Sequence, residues 1–412
     1  MKKILINAYA LRPNFGSEGG AAWNWITGLA SQYELFVITE GEWREEIEKA
    51  IQEDPNGGRI HIFFNPLPER VRRMCWNQGD YRFYFYYAEW QRKTLKIARE
   101  IISNNKINLI HQLNMIGFRE PGYLWKIEGM PFVWGPIGGM NLVPLQYVHD
   151  VSLATKIKYS FKNVVSAWQY KHQMRVQKAI RRSNMLVAAN KTSYEVLISL
   201  HPEKEVVLIN ETGCNIDCAV KRSANVGQVF KVLWVGRFIP TKLLKLSLQV
   251  IEIIKDLPGL EFHVVGQAFE DKDTNWYHQL ASKMGLDDVC KWHGWISHSE
   301  VQLLMQQCDV FFFPSVVEGT PHVVLEAIAN RLPVVCFDVC GQAEAVNDNV
   351  GRKLPLSSPE ESILGFADIL KDLYYDREKL SRLSENCELR RYELSWKCKL
   401  RKMLEIYDRL LN

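Results

Sequence analysis

Two short apolar runs that enclose a loop and a helix constrain the fold of this chain more than any other feature. Val310–Phe313 and Pro333–Phe337 each have the length and the apolar content of a buried strand. Between them we predict a loop and then a helix that begins at Pro321 and ends near Asn330, since proline is favoured in a first helical turn. A strand–helix–strand unit of this kind predicts a parallel sheet.

Two glutamates near the start of that helix indicate what it binds. Glu318 lies in the loop before the helix, and Glu326 lies in its early turns. The free N–H groups and the positive dipole end of a helix N-terminus attract anions such as phosphate. Carboxylates beside such a helix end indicate a ligand with both phosphate and hydroxyl groups. A sugar nucleotide fits that description.

The alternation of strands and helices recurs along the chain and predicts two domains. With 412 residues the chain is too long for one ordinary core, because domains usually have ~100–200 residues. One series of elements fills residues 1–212 and another fills 229–390, with a polar linker at 213–228. We therefore predict an α/β fold of two doubly wound, Rossmann-like domains, with a ligand cleft at the carboxyl ends of their strands.

The C-terminal segment, residues 391–412, contains a helix from about Trp396 to Leu411 with one apolar face. Its apolar residues recur every three or four positions, at Leu400, Met403, Leu404, Tyr407 and Leu411. Such a stripe needs a surface to pack against. We expect that surface to be on the first domain.

The charge distribution and the cysteine content indicate where the protein is located in the cell and which partners it could bind. The net charge is +4, but residues 151–200 hold nine basic residues and one acidic residue. Together with the aromatic segment 81–87, they would suit an anionic membrane surface, where a basic residue contributes ~1 kcal/mol. An ordinary solvated face above core aromatics is the alternative, and both interpretations stay open.

No nucleic-acid recognition module is present in the sequence, so we expect no nucleic-acid partner. The nine cysteines include no C-x-x-C pair, and no apolar run approaches the ~20 residues of a membrane span. These features predict a cytoplasmic protein. Any membrane contact would then be peripheral, on the inner face.

A basic pair follows the first strand of the second domain. Gly236 and Arg237 come directly after the apolar run Lys231–Val235, and Lys242 comes five residues later. A glycine that allows close approach, followed by two cations at a helix start, suits a diphosphate clamp. The alternative is a solvated basic turn. The downstream glutamates favour the clamp.

These residues belong to a longer pattern. It consists of Gly-Arg-x-x-x-x-Lys, Gly266 after Val-Val, Trp-His-Gly-Trp, Pro-Ser-x-x-Glu-Gly-Thr with a later Glu-Ala, and Gly341 with Glu344. In this combination residues 230–346 resemble family 4 of the retaining glycosyltransferases (glycosyl transferases group 1), which has the two-domain GT-B fold. Near the N-terminus, Gly-Ser-Glu-Gly-Gly and Trp-Gly-Pro-Ile-Gly-Gly resemble the acceptor domain of the same family, less specifically.

The resemblance implies catalytic roles for three residues of the second domain. Arg237 and Lys242 would hold the donor diphosphate. Glu318 would face the hydroxyls of the donor sugar, with the N–H groups of Gly319 and Thr320 nearby.

Further donor contacts are implied at the ends of neighbouring strands. Glu326 would hold the ribose hydroxyls, and residues around Trp295 and Ile296 would receive the base. Gly236 and Gly266 would let the backbone approach the donor.

In the first domain the resemblance implies an approach loop and one histidine. Gly16, Gly19 and Gly20 would let the first loop approach the phosphate and the reacting centre. Many members of the family have a His-x-His segment that supplies an acceptor-side histidine. Here His111 is the first position and Leu113 occupies the second. A catalytic His111 and a structural histidine at a strand end both remain open.

Two other positions depart from the family pattern. Leu243 stands where the family usually has a glycine after the clamp lysine, and Arg331 stands where it has one before the next strand. Asp271-Lys272-Asp273 resembles the metal motif of another transferase fold, but we interpret it as a solvated loop and predict no metal site.

The resemblance thus implies transfer of a sugar from a UDP- or GDP-linked donor to a hydroxyl of a saccharide or lipid-linked saccharide. Transfer would proceed with retention and without a metal or other cofactor, in cell-surface polysaccharide or glycolipid assembly. Two alternatives remain open. One is a sugar-nucleotide epimerase on the same fold, and the other is a non-catalytic binder of glycans or lipid head groups.

Overall fold

The computed structural model describes residues 1–13, 18–76, 80–148, 151–214, 229–319 and 321–412. The described chain forms two compact α/β units. Unit 1 comprises Met1–Met140, Ser166–Thr212 and Trp396–Asn412, and unit 2 comprises Asn141–Val165 and Gly213–Ser395.

Unit 1 is built on a parallel sheet of seven strands in the order β3-β2-β1-β4-β5-β6-β7. The strands are β1 (Lys3–Ala8), β2 (Glu34–Thr39), β3 (Ile60–Phe64), β4 (Leu109–Asn114), β5 (Phe132–Ile137), β6 (Met185–Ala188) and β7 (Val206–Leu208). Strand order reverses between β1 and β4. In doubly wound sheets such a reversal opens a crevice at the carboxyl ends of the strands.

Helices connect these strands and cover both faces of the sheet. They are α1 (Glu18–Leu29), α2 (Arg44–Glu53), α3 (Glu69–Trp76), α4 (Arg82–Asn104), α6 (Met174–Arg182) and α7 (Lys191–Leu200). Helix α5 (Leu153–His172) is shared, because its residues up to Val165 group with unit 2 and those from Ser166 group with unit 1. Successive strand residues pack on opposite faces, because side chains alternate along a strand. Ile4 and Ile6 are buried in one core cluster and Leu5 in another. Burial on both faces explains why the strands are almost continuously apolar.

Unit 2 repeats this architecture with six parallel strands in the order β10-β9-β8-β11-β12-β13. The strands are β8 (Phe230–Val235), β9 (Leu260–Val265), β10 (Cys290–Gly294), β11 (Val310–Phe313), β12 (Val334–Phe337) and β13 (Gly351–Leu354). The helices are α8 (Leu244–Ile254), α9 (Asp271–Lys283), α10 (His298–Gln307), α11 (His322–Ala329), α12 (Cys340–Ala345), α13 (Pro359–Tyr375) and α14 (Arg377–Glu393). Here the order reverses between β8 and β11. The predicted fold class, two doubly wound α/β domains, is confirmed.

The C-terminal helix α15 (Trp396–Leu411) belongs to unit 1. Tyr407 is fully buried in the core cluster that contains Ile4 and Ile6. The Trp396 ring meets Trp25 edge-on at 5.5 Å between centroids. Gly28 on α1 leaves room for Leu400 of α15, because a Cβ on Gly28 would lie 2.2 Å from a methyl carbon of Leu400. The helix therefore packs on the first unit, as its apolar stripe predicted.

The boundary between the units differs from the domain boundary that we predicted from the sequence. Residues 1–212 were all assigned to the first domain, whereas Asn141–Val165 groups with unit 2. Tyr147 shows why. Its ring lies 5.2 Å from that of Phe337, and its hydroxyl is 2.7 Å from Ser362 Oγ.

Three further boundaries are corrected. The basic segment 152–182, which its sequence predicts to be helical, forms two helices, because Gln173 between them is extended. Residues 391–393, which we assigned to the C-terminal segment, continue α14. Of the predicted linker 213–228, Gly213 and Cys214 belong to unit 2, and the rest lies outside the described residues.

Candidate active site

The switch point of unit 2 brings an ammonium and a carboxylate together. Lys242 follows β8 and Glu318 follows β11, and these two strands are neighbours where the strand order reverses. Lys242 Nζ and Glu318 Oε1 form an ion pair. Both side chains are half-buried, with exposures of 19% and 15%. A pair this sheltered from water is screened less than a surface pair.

Three polar side chains hold Glu318 and its loop in place. Ser315 Oγ lies 2.6 Å from Glu318 Oε1 and donates to it. Gln342, which is fully buried, donates to the carbonyl of Ser315 at 2.8 Å. The side chain of Asn141 donates to the carbonyl oxygen of Glu318 at 2.5 Å. The carboxylate is therefore positioned before any ligand binds. Less side-chain entropy is then lost when a ligand binds to it.

The turn that carries Lys242 is tied to the same loop. Pro240–Lys242 forms one turn of 3-10 helix, and the carbonyl of Thr241 accepts from the N–H of Val316 at 3.1 Å. The ammonium of Lys242 lies 4.8 Å from the centre of the Phe313 ring. An ammonium over an aromatic face is attracted by the ring quadrupole.

Two glycines allow the ends of β8 and β9 to approach closely. Gly266 has φ +123°, and a Cβ on it would lie 1.9 Å from the carbonyl oxygen of Gly236. The N–H of Gly236 donates to Val265, and that of Gly266 donates to Gly294. Next to Gly236, Arg237 is exposed, with its guanidinium 5.4 Å from the Phe269 ring.

Glu326 lines a separate cavity beside α11. Its two carboxylate oxygens lie 3.2 Å from His298 Nε2 and 3.2 Å from Gln302 Nε2. The cavity has a volume of about 360 Å³ and also includes His322, whose pKa is lowered by burial against the opposing influence of Glu326 and Glu318. Arg237, Lys242 and Glu318 are not among its lining residues. The structure thus joins Lys242 to Glu318 and places Glu326 in its own recess.

The remaining predicted donor residues lie at the same edge of the sheet. Trp295 and Ile296 directly follow β10, and Trp295 is strongly exposed while Ile296 packs on the core. A Cβ on Gly319 would meet no atom within 4 Å, so the backbone there faces open space. Thr320 lies outside the described residues, as does Gly16 of the first unit.

His111 in unit 1 is enclosed by its own fold. The side chain is fully buried on β4. Its Nε2 lies 2.6 Å from the carbonyl of Gly135 and its Nδ1 lies 2.5 Å from the Tyr407 hydroxyl. The carbonyl can only accept, so Nε2 carries the proton and Nδ1 accepts from Tyr407. With both nitrogens bonded and no exposed surface, this geometry argues against a catalytic His111.

The burial of His111 predicts that the stability of the protein depends on pH. Burial lowers the pKa of His111 from 6.5 to about 4, so the unfolded chain binds a proton in this range that the folded state does not. The contribution is present above pH 6.5 and is lost as pH falls towards 4. It amounts to about 3 kcal/mol of unfolding free energy. We expect urea unfolding curves of His111→Gln to lose part of the decline that the parent protein shows between these pH values. Equal declines in both proteins would contradict the prediction.

The first turn of α1 contains a half-buried acid, Glu18, that we did not predict as a site residue. Glu18 Oε1 accepts from the N–H of Ile116 at 2.7 Å, which joins the start of α1 to the segment after β4, near the switch point of this sheet. Burial raises the pKa of Glu18. The feature of the sequence that could have indicated Glu18 is its position between Gly16 and Gly19. Gly19 and Gly20 lie in the first helical turn, so their predicted place in a loop is wrong.

Asp271 and Asp273 are also helical, in the first turn of α9. Acidic side chains there interact favourably with the helix dipole, so the predicted loop is corrected. Within the described ranges, no group of three or more His, Cys, Asp or Glu side chains could hold a metal ion.

Comparison with known proteins identifies the domain that carries the ion pair. Residues 219–390 match the family described as glycosyl transferases group 1. This part of the chain is similar to the group 1 glycosyl transferases. The predicted resemblance is confirmed at this level.

Two curated relatives match part of the chain. The amylovoran biosynthesis glycosyltransferase AmsK of Erwinia amylovora is 28% identical over 150 residues, which is 35% of each chain. A D-inositol 3-phosphate glycosyltransferase of Paenarthrobacter aurescens (strain TC1) is 31% identical over 162 residues, 38% of each chain. The present chain thus spans only about a third of the length of these relatives.

A solved structure matches the whole chain in fold. Anabaena HepE in complex with UDP superposes with a TM-score of 0.62 at 17% identity, over 99% of this chain and all of that chain (100%). This likeness shows the GT-B fold and confirms that prediction.

Unit 2 has a left-handed backbone at the two positions where the resemblance implied a glycine. Leu243 has φ +52° and Arg331 has φ +58°. Leu243 ends the Lys242 turn and starts α8, and Arg331 follows the C-cap residue of α11. A non-glycine residue in this region costs about 1–2 kcal/mol. Leu243 is buried in the core, which offsets this strain.

Proposed function

We propose that this chain is a retaining glycosyltransferase. It moves a sugar from a nucleoside-diphosphate sugar to a hydroxyl of a saccharide or lipid-linked saccharide, in the assembly of a cell-surface polysaccharide or glycolipid. The observation that carries the proposal is the Lys242–Glu318 ion pair at the switch point of unit 2, in the part of the chain that is similar to the group 1 glycosyl transferases. This pair offers a cation to a diphosphate and a fixed carboxylate to hydroxyl groups at one place.

The chemistry of the reaction fits these residues. Departure of a nucleoside diphosphate leaves negative charge on its terminal phosphate, and catalysis requires stabilisation of that charge as it develops. Lys242 and Arg237 supply two cations, and the N-terminus of α11 supplies its N–H groups and dipole. Two fixed cations can neutralise a diphosphate without a metal ion, so we propose that none is required.

Glu318 has a different role in this proposal. Because Ser315 and Asn141 fix it, its carboxylate can accept hydrogen bonds from sugar hydroxyls in one orientation. Retention would follow from attack on the face that the diphosphate leaves, with the leaving phosphate taking the acceptor proton. No carboxylate near the reacting centre is assigned as a nucleophile, so a double displacement through a glycosyl-enzyme is not part of the proposal.

The nature of the donor and acceptor is suggested by the related proteins. Anabaena HepE was solved with UDP-glucose, and AmsK is named for amylovoran biosynthesis. We propose a UDP-linked donor first and a GDP-linked donor second. The exposed Trp295 after β10 would stack on the base.

A donor screen tests the proposed function. The purified chain is incubated with UDP- and GDP-sugars with and without oligosaccharide acceptors, in excess EDTA, and products are resolved by mass spectrometry. We expect transfer only with acceptor and only slow hydrolysis without it. Conversion of the donor sugar in the absence of acceptor would indicate an epimerase instead. Glycan binding that needs no nucleotide and survives Glu318→Ala would indicate a non-catalytic binder.

The recess around Glu326 gives a second, more specific prediction. If Glu326 holds the ribose hydroxyls, Glu326→Ala should weaken UDP binding by about tenfold, the cost of one hydrogen-bonded charge. It should weaken 2′,3′-dideoxy-UDP much less, because that ligand lacks the hydroxyls. Calorimetric titration of both ligands measures this difference. Glu360→Ala, on the exposed first turn of α13, is the matched control. Equal losses for the two ligands would contradict the role.

A further inference from the structure

Helix α5 presents an apolar stripe to solvent. Five large apolar side chains lie on it, and each is 58–73% exposed: Leu153, Ile157, Phe161, Val164 and Trp168. At 100° per residue they fall within about 80° of the helix circumference. From the first to the last, the stripe is about 22 Å long. Single exposed apolar residues are ordinary, but a continuous row on one helix face indicates an interaction surface.

The opposite face of α5 is anchored in the protein. Ser166 and Tyr170 are buried. The Asn163 side chain accepts from the N–H of Val143 at 2.9 Å and donates to its carbonyl at 2.8 Å. The helix is therefore held by one face. The exposed stripe is the other face of an ordered element.

The charges on α5 are of one sign. The helix contains four lysines and no Asp or Glu. By helical angle, Lys156 and Lys158 lie about 60° beyond the two edges of the stripe, Lys171 lies in line with one edge, and Lys162 lies towards the opposite face. Lysine stems can extend along apolar surface while their ammonium groups reach outward. An apolar row between lysines, with a Trp near one end, has the pattern of helices that lie in the plane of a membrane interface.

We propose that α5 docks on an anionic membrane surface, with its apolar stripe among the lipid head groups and its lysines against lipid phosphates. A second copy of this chain fits the surface less well, because the lysines of the two helices would repel one another. In the part of the chain that the structure describes, no helix is long and apolar enough to cross a bilayer.

This inference deepens the proposed function, on which it rests for its biological sense, since an enzyme that extends a lipid-linked acceptor works at a membrane. Binding to vesicles needs neither donor nor acceptor. Its test therefore fails or succeeds independently of sugar transfer. Calorimetric titration with UDP, run on every variant, reports the donor site separately.

Flotation of the full chain with vesicles measures the interaction. We expect the protein to bind vesicles of phosphatidylcholine with ~30% phosphatidylglycerol at least about tenfold more tightly than phosphatidylcholine alone, because several lysines act together. Phe161→Ser combined with Trp168→Ser should weaken binding by about tenfold or more, since two large apolar groups are lost from the interface. Leu389→Ser, at an exposed apolar residue of α14, is the control and should bind normally.

The charge of the helix is tested in the same way. Lys158→Glu combined with Lys171→Glu should lower binding to anionic vesicles by about tenfold or more. Lys397→Glu with Lys402→Glu, two exposed positions of α15, should not. Loss of binding in the α5 variants alone, with UDP titrations unchanged, supports the proposal.

Three results would overturn it. Absence of binding to anionic vesicles, or equal binding by the Phe161→Ser/Trp168→Ser variant, would exclude the membrane as the occupant of the stripe. A concentration-dependent dimer in sedimentation velocity that this variant abolishes would assign the stripe to a second copy of the chain instead.

Discussion

Replacing Lys242 with alanine is expected to lower kcat/KM for sugar transfer by about 10²–10³-fold, the usual cost of removing one group that stabilises transition-state charge. The substitution also leaves the half-buried carboxylate of Glu318 without its cation. We therefore expect a loss of thermal stability as well, because an unpaired charge in a sheltered site is costly. Steady-state kinetics and thermal unfolding of the same preparation separate the two effects.

Controls decide whether the pair acts as a unit. Lys283→Ala, at an exposed position of α9, should change neither transfer nor stability measurably. In the double variant Lys242→Ala/Glu318→Ala, the stability loss should be smaller than the sum of the single losses, since the carboxylate no longer needs a partner. If Lys242→Ala transfers sugar at a rate near that of the parent, Lys242 does not grip the leaving diphosphate.

The second large effect is expected at Gly266. In Gly266→Ala the new Cβ would overlap the carbonyl oxygen of Gly236 at 1.9 Å, and the backbone has φ +123°. Neither strand end can move freely, because Gly236 and Gly266 both donate backbone hydrogen bonds to neighbouring strands. We expect a loss of about 3 kcal/mol or more in unfolding free energy, as for other changes that force strain into a packed site. Urea unfolding monitored by circular dichroism measures it.

Gly294→Ala separates steric overlap from backbone preference. Gly294 also has positive φ, +64°, but a Cβ there would meet no atom within 4 Å. Alanine at this position should cost only about 1–2 kcal/mol, the price of the left-handed conformation. Similar losses for the two variants would show that the strand ends can separate, and that the close approach of β8 and β9 is not constrained.

Local signals in the sequence were sufficient for many elements. The predicted last helix, Trp396–Leu411, matches the structure. Helix α10 begins with a capping box in which Ser297 and Glu300 bond each other's backbone N–H groups. Capping boxes and apolar periodicity act within a few residues, so they can be read without knowledge of the fold.

Residues whose role depends on distant partners could not be assigned in the same way. His111 sits at a strand end, where a catalytic and a structural histidine look alike in sequence. The Tyr407 hydroxyl that occupies its Nδ1 is 296 positions away. Likewise, Asn141 binds the backbone of Glu318 across 177 positions, and nothing near Asn141 in the sequence indicates this contact.

The sequence by itself determined the chemistry: a cation pair after one apolar strand, two glutamates around a helix start, and the alternation that requires doubly wound sheets. Only the tertiary structure decided which of these groups meet. The sheet order places β8 beside β11, so Lys242 reaches Glu318, while Glu326 lies against His298 in a recess beside α11 that Lys242 and Glu318 do not line. Strand order and burial result from packing between segments far apart in the chain, and that packing leaves no local trace in the residues it brings together.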